Sequence, residues 1–178
     1  MAHELPLLAA CLSVAIIASD LYARRVPNGW LLAALGLGVL MLAISWLRGG
    51  TGPWPGLTAL TGLVIGLLAM LPLYMFGWMG AGDVKFFAVL GFLLGARALL
   101  PVWIIASLLA GMQATAILLS RQRLWPLPGM ATAQHRLATS ALGRHISKVR
   151  KGRNGLPYAA WLGVGALATV AAPALARW

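Results

Sequence analysis

Six apolar stretches run along this chain of 178 residues. The segments between them hold most of the charged residues. The stretches cover residues 5–19, 30–47, 57–74, 86–100, 102–120 and 156–176. A helix needs about 20 apolar residues, within a range of about 17–25, to cross about 30 Å of hydrocarbon. The pattern therefore predicts an all-α membrane protein with six transmembrane helices. Only Pro101 separates the fourth stretch from the fifth.

The overall composition favours the same class of protein. Apolar residues make up 61% of the chain and charged residues 10%, whereas soluble domains have about 45–50% and about 25%. The single Cys11 excludes a disulfide framework and a four-cysteine zinc site, and we expect neither a metal nor a cofactor. A net charge of +11 is compatible with nucleic-acid binding, but the basic residues are confined to a few connecting segments. That distribution is typical of membrane topology, so no nucleic-acid partner is expected.

The basic residues are distributed unevenly between the two sides of the predicted membrane. Eleven of the 14 follow the first, third or fifth stretch: Arg24, Arg25, Lys85, Arg121, Arg123, Arg136, Arg144, Lys148, Arg150, Lys151 and Arg153. Because basic loops remain on the cytoplasmic side, both termini of this single domain, 1–178, are predicted outside, in the periplasm. The first stretch follows Glu4 and precedes the basic residues, which is opposite to a signal peptide, so we expect a retained helix.

The longest connecting segment, residues 121–157, is predicted to be a basic cytoplasmic loop within this domain. It carries eight of the basic residues and no acidic residue. We expect it to lie on anionic lipid head groups, because such segments are attracted to the cytoplasmic leaflet. A docking surface for a substrate is the functional alternative.

The two aspartates lie near the ends of apolar stretches inside the chain, whereas Glu4 lies close to the N-terminus. Asp20 follows the first stretch in "ASDLYARRVPNGW", and Asp83 precedes the fourth in "GAGDVKFF"; the third acidic residue is Glu4. The predicted topology, which rests on basic residues alone, puts both aspartates at the cytoplasmic boundary. Ionisable groups in or near a membrane are costly and usually functional, so we interpret them as a catalytic or ion-handling pair. The alternatives are a helix cap for Asp83 and an ion pair between Asp20 and Arg24 or Arg25.

Two neighbouring carboxyl groups have a specific chemistry. They cannot both ionise easily and therefore share a proton, so that one can activate water while the other protonates a peptide carbonyl. Gly80 and Gly82 would let an extended substrate backbone approach Asp83, although a simple loop also uses glycine. The sequence contains neither an HExxH zinc motif nor a GxSxG nucleophile motif.

Small residues on two of the predicted helices indicate close packing. Gly62 and Gly66 form a GxxxG pair on the third helix, and Gly91 and Gly95 form another on the fourth. Such pairs let helix backbones approach closely in lipid. They predict that the fourth helix, which follows Asp83, is held tightly among its neighbours.

Three segments carry a resemblance to a known family. "DLYARRVPN" resembles the first-aspartate segment of the type IV prepilin peptidases, the GxGD class of membrane aspartic proteases. "GAGDVK" is similar to the second-aspartate motif of that family, and "LPYAAWLGVG" to the start of its final helix. The resemblance covers about residues 12–165.

The resemblance implies that Asp20 and Asp83 are the catalytic pair. It also implies cleavage of the basic leader of type IV pilin-like precursors, next to a glycine, at the cytoplasmic face of a prokaryotic inner membrane. Gly80 and Gly82 are then motif glycines and Lys85 a motif residue that orients or neutralises the site. Further residues of the first-aspartate segment are implied to support the site or lie near the substrate: Arg24, Arg25, Pro27 and Asn28.

The larger bacterial members differ from this chain in one respect. They carry an additional tetra-cysteine domain and methylate the new pilin terminus, whereas this sequence has neither the domain nor the cysteines. The chain resembles the short subgroup that processes Flp-type pilins, or the archaeal preflagellin peptidases, and we expect no N-methyltransferase activity. The alternative functions are an ion- or proton-coupled transporter and a non-enzymatic assembly subunit of a pilus or secretion machine.

Overall fold

The computed structural model describes residues 4–49, 56–121 and 157–176. Within these ranges the chain forms six α-helices and a short 3₁₀ helix and no strand, which confirms the all-α prediction. The helices are α1 (Glu4–Ala23), α2 (Asn28–Leu47), α3 (Gly56–Met75), α4 (Ala81–Leu94), α5 (Ala96–Arg121) and α6 (Tyr158–Ala171), followed by the 3₁₀ helix Pro173–Ala176. Four of them, α1, α2, α3 and α5, are long and apolar enough to cross a membrane. The other two, α4 and α6, have 14 residues each and are shorter than a standard span.

Helix α4 lies at the centre of the bundle. Between Val84 and Leu93 every residue except Lys85 is buried, and Phe86 and Leu90 are fully enclosed. A helix that is apolar on all sides belongs in the interior, whereas α2 and α3 expose large side chains such as Leu32 toward the surroundings. The part of α4 that follows Asp83 is therefore enclosed by its neighbours.

Close backbone contacts explain why α4 is so enclosed. A Cβ atom on Gly62 of α3 would collide with the carbonyl oxygen of Gly91, and one on Gly66 would lie 3.0 Å from the Cα atom of Ala88. These three glycines pack as the sequence predicts. Helix α6 packs in a similar way, since a Cβ atom on Gly163 would lie 2.7 Å from Ile17 of α1.

The prediction for the end of the fourth helix was wrong. Helix α4 ends at Leu94, and Gly95 makes the corner to α5 with a φ of +85°, a left-handed value that favours glycine. A Cβ atom on Gly95 would meet nothing within 4 Å, so this glycine turns the chain and does not pack against a helix. Pro101 lies inside α5 and does not divide two helices.

The basic loop predicted over residues 121–157 lies almost wholly outside the described residues, which resume at Pro157. The predicted six spans, the position of the two termini and the association of this loop with lipid head groups stay predictions.

Candidate active site

A cleft of about 850 Å³ lies at the end of the bundle where α1 ends and where α2, α4 and α6 begin. Its lining includes every residue that the sequence singled out for the site: Asp20, Arg24, Arg25, Pro27, Asn28, Gly80, Gly82, Asp83 and Lys85. Three further residues line it that the sequence reasoning missed: Val26, Ala81 and Tyr158. The cleft therefore brings together segments that are about sixty residues apart in the chain.

The corner between α1 and α2 forms one wall of the cleft. The amide of Arg24 donates to the carbonyl oxygen of Asp20 at 3.0 Å and closes the last turn of α1. Arg24 adopts a φ of +52°, which costs a non-glycine residue on the order of 1–3 kcal/mol. The hydroxyl of Ser19 donates to the carbonyl oxygen of Arg25 at 2.8 Å and ties the corner back to the helix. Strained backbone of this kind is typical of functional sites.

Asp20 is buried in the last turn of α1, with only 6% of its surface exposed. Its Oδ2 atom accepts a hydrogen bond of 3.0 Å from the backbone amide of Ala160, in the first turn of α6. The first amides of a helix lack partners within the helix, and together with the helix dipole they stabilise a negative charge. The start of α6 therefore both fixes and stabilises the carboxylate of Asp20.

Asp83 is half-buried in the first turn of α4 and lies outside the apolar stretches. Its Oδ2 atom accepts a hydrogen bond of 3.3 Å from the amide of Gly80, so the carboxyl group also caps this helix. Burial and, second, the charge of Asp20 raise the pKa of Asp83 from 3.8 to about 6, while the hydrogen bond from Gly80 lowers it.

Packing that the sequence did not reveal explains why glycine is present at positions 80 and 82. A Cβ atom on Gly82 would lie 3.0 Å from the Cβ atom of Val26, so the missing side chain lets the α1–α2 corner pack against α4. A Cβ atom on Gly80 would lie 3.3 Å from Oδ2 of Asp83 and would crowd the carboxyl group. Gly82 thus brings Val26 close to the start of α4, and Gly80 leaves room for the Asp83 carboxylate.

Lys85 is exposed at the edge of the cleft. Its Nζ atom donates to Oδ1 of Asn28 at 3.4 Å, which links the N-terminal parts of α4 and α2. This contact joins two residues that the sequence had assigned to separate motifs.

The sequence profile of the Type IV leader peptidase family matches residues 7–115, more than half of the chain and a range that includes both aspartates. The chain belongs to the type IV leader peptidase family. Membership makes it a protease with a prepilin-type substrate, and with its four long apolar helices it is a multi-pass membrane protein. No curated protein and no solved structure matches the chain.

Helix α6 lies beyond the matched part of this leader peptidase, yet it contributes to the cleft. Tyr158 lines the cleft and its hydroxyl lies 3.1 Å from that of Ser107 in α5. The indole nitrogen of Trp161 donates to Gln113 of α5 at 2.8 Å, which further fixes the start of α6. The "LPYAAW" segment was the signal for Tyr158, but nothing in the sequence indicated the amide of Ala160.

Proposed function

We propose that this peptidase is an aspartic endopeptidase that removes the basic leader of Flp-type prepilins at the cytoplasmic boundary of the inner membrane. The observation that carries the proposal is that Asp20 and Asp83, on separate helices, line one cleft, with the pKa of Asp83 raised in part by the charge of Asp20. Acid–base hydrolysis of a peptide requires two carboxyl groups, one of them charged and the other protonated.

The environments of the two aspartates support a different role for each of them. Asp20 is the anion, because the amide of Ala160 and the dipole of α6 stabilise its charge. Asp83 keeps its proton more readily, because burial and the charge of Asp20 disfavour ionisation. Asp20 is therefore the general base and Asp83 the general acid.

The reaction then proceeds in two steps without a covalent enzyme intermediate. Asp20 takes a proton from water, whose oxygen attacks the carbonyl carbon, while Asp83 gives its proton to the carbonyl oxygen. In the tetrahedral intermediate the carbon–nitrogen bond breaks as Asp20 gives its proton to the departing nitrogen. Asp83 recovers its proton from the collapsing hydroxyl group, and both residues return to their starting states.

The membrane arrangement in this proposal has six spans, with the shorter α4 and α6 completing the set and both termini in the periplasm. The cleft then faces the cytoplasm, as the positive-inside rule expects for the end that carries Arg24, Arg25 and Lys85. A transporter would more typically hold its ionisable residues near the middle of the bilayer, whereas this pair lies at one end of the bundle. A non-enzymatic assembly subunit has no need for two interacting carboxyl groups.

The substrate is tested by co-expressing the chain with a Flp-type prepilin and determining the mature N-terminus by mass spectrometry. We expect cleavage after the leader and a terminus without a methyl group. A precursor that stays intact beside correctly inserted protein would contradict the assigned substrate, and a methylated terminus would contradict the absence of N-methyltransferase activity.

A further inference from the structure

Tyr158 brings to the cleft a hydroxyl group that the proposed reaction leaves unused. Among the residues of the described part of the chain that line the cleft, no other side chain carries a hydroxyl. Tyr158 is the first residue of α6, and Ala160, whose amide holds the carboxylate of Asp20, is the third. The phenol and the Asp20 carboxylate therefore lie at the same end of α6.

Two contacts with α5 fix the position of the Tyr158 ring. Its hydroxyl oxygen lies 3.1 Å from that of Ser107, and three residues later the indole of Trp161 donates to Gln113 at 2.8 Å. Residues three apart are neighbours on one face of a helix, so the two bonds hold this face of α6 against α5. The ring, which is half-buried, is thus held at the wall of the cleft.

The bond between Ser107 and Tyr158 leaves a proton for a further acceptor. Each hydroxyl has one proton to donate, and the bond between the two uses only one of them. Three other helical hydroxyls donate to the carbonyl oxygen four residues earlier: Ser13, Thr115 and Thr169. The hydroxyl of Ser107 is instead directed at Tyr158. When Ser107 donates to Tyr158, the phenol can give its own proton to a group in the cleft, and each bond strengthens the other.

We propose that Tyr158 is a further catalytic residue, whose hydroxyl donates a hydrogen bond to the carbonyl oxygen of the scissile peptide. The inference rests on the proposed function. A carbonyl oxygen has two lone pairs, so it can accept this bond while it takes the proton of Asp83. Negative charge builds up on this oxygen as water attacks, and a donor that is already in place stabilises it most in the transition state. The phenol keeps its proton throughout.

A neutral donor is well matched to a site whose acid is Asp83. A cation at the same position would favour the ionised carboxylate and so remove the acid. A phenol carries no charge and loses its proton only near about pH 10, so it remains a donor at every pH at which Asp83 acts. Tyr158 can therefore stabilise the developing charge without replacing Asp83 as the source of the proton.

The test compares two matched variants of the purified protein in phospholipid vesicles, with a prepilin as substrate. Tyr158→Phe and Ser107→Ala each remove the hydrogen bond between α5 and α6, but only Tyr158→Phe removes the donor in the cleft. We expect Tyr158→Phe to lower kcat by about tenfold to about 100-fold with little change in KM. Ser107→Ala should keep kcat within about threefold of the wild-type value. The midpoint of thermal unfolding should fall by similar amounts in both, because they lose the same bond.

Two peptide inhibitors give a second readout that does not depend on turnover. A difluoromethylene ketone in place of the scissile bond is hydrated and mimics the tetrahedral intermediate, whereas a reduced bond, with a methylene group in place of the carbonyl, lacks the oxygen. We expect Tyr158→Phe to weaken binding of the ketone about tenfold and to leave binding of the reduced peptide unchanged.

Three results would overturn the role of Tyr158. They are an unchanged kcat in Tyr158→Phe, equal losses of kcat in Tyr158→Phe and Ser107→Ala, and equal losses of affinity for the two inhibitors. The last two would show that the pair only packs α5 against α6. Cleavage of the prepilin by the wild-type protein would still support the proposed function in each case, whereas no cleavage by that protein overturns both.

Discussion

Asp20, in the last turn of α1, accepts a hydrogen bond of 3.0 Å from the backbone amide of Ala160, in the first turn of α6. The two residues are 140 positions apart in the chain. This contact makes α6 part of the candidate active site, although the family match ends at residue 115. The contact also distinguishes the two aspartates, because the carboxylate of Asp20 lies against the start of α6, where the helix dipole stabilises an anion.

Removing this amide is expected to weaken catalysis. Ala160→Pro takes away the donor at a first-turn position, where a helix tolerates proline. Hydrogen bonds to charged groups contribute about 1.5–3 kcal/mol, so we expect kcat/KM to fall by about tenfold to about 100-fold. The matched control is Ala159→Pro, which leaves the amide of Ala160 in place. Equal losses in the two variants would show that proline disturbs α6 in general and that the bond to Asp20 has no special role.

The activity should depend on pH through Asp83. As the general acid it must hold a proton, and its pKa of about 6 means that the protonated fraction falls above that pH. We expect kcat/KM to decrease by about tenfold per pH unit above about pH 6. A pH–rate profile of the wild-type peptidase measures this decrease in kcat/KM directly. A profile that stays flat from pH 6 to pH 8 would contradict the assignment of Asp83 as the acid.

The same carboxyl group should make stability depend on pH. Its pKa is higher in the folded protein than the usual 3.8, so the folded state binds the proton more tightly than the unfolded state. The free energy of unfolding should therefore decrease as the pH rises from about 4 to about 6. Thermal unfolding at several pH values measures this, and Asp83→Asn should remove the decrease. An equal decrease in that variant would assign the effect to another group.

Gly82 is expected to be needed for packing between α4 and the α1–α2 corner. Gly82→Ala would place a Cβ atom 3.0 Å from that of Val26, and overpacking of this kind typically costs about 1–3 kcal/mol of unfolding free energy. The double variant Val26→Gly/Gly82→Ala, which lacks the Cβ atom at position 26, should recover part of this loss in thermal unfolding and in activity. If the smaller residue at position 26 gives no recovery, the contact with Val26 is not the reason for the glycine.

The orientation in the membrane can be tested with reporters fused to the chain. A reporter that is active only in the cytoplasm should be active when fused after Arg136, because most of the basic residues flank that position. The same reporter fused after Gly49, in the segment between α2 and α3, should be inactive. The reverse pattern would place the basic loop and the cleft outside the cytoplasm.

Much of the fold and of the site could be predicted from the sequence because the signals are local. Long apolar runs specify helices, and the few carboxylates in an apolar chain identify Asp20 and Asp83. The end of α4 could not be predicted in this way, because the residues on both sides of Gly95 are apolar and Pro101 offers a more conspicuous break. The structure shows that the backbone turns at the glycine, with a φ of +85°.

The hydrogen bond from Ala160 in α6 was not predictable for a different reason. Ala160 acts through its backbone amide, a group that every residue except proline carries, so its side chain gives no signal. The contact between Gly82 and Val26 likewise depends on how two distant segments meet, which hydropathy and motif spacing do not encode.

The central claim is that Asp20 and Asp83 act together as the catalytic pair, and cleavage of a prepilin by purified variants tests it most directly. Asp20→Asn and Asp83→Asn should each lower kcat by at least about 100-fold, the usual contribution of an acid or a base. Glu4→Gln, a change at the remaining acidic residue on the opposite end of α1, should keep wild-type activity. Cleavage at the wild-type rate by either aspartate variant, in folded and inserted protein, would contradict the account.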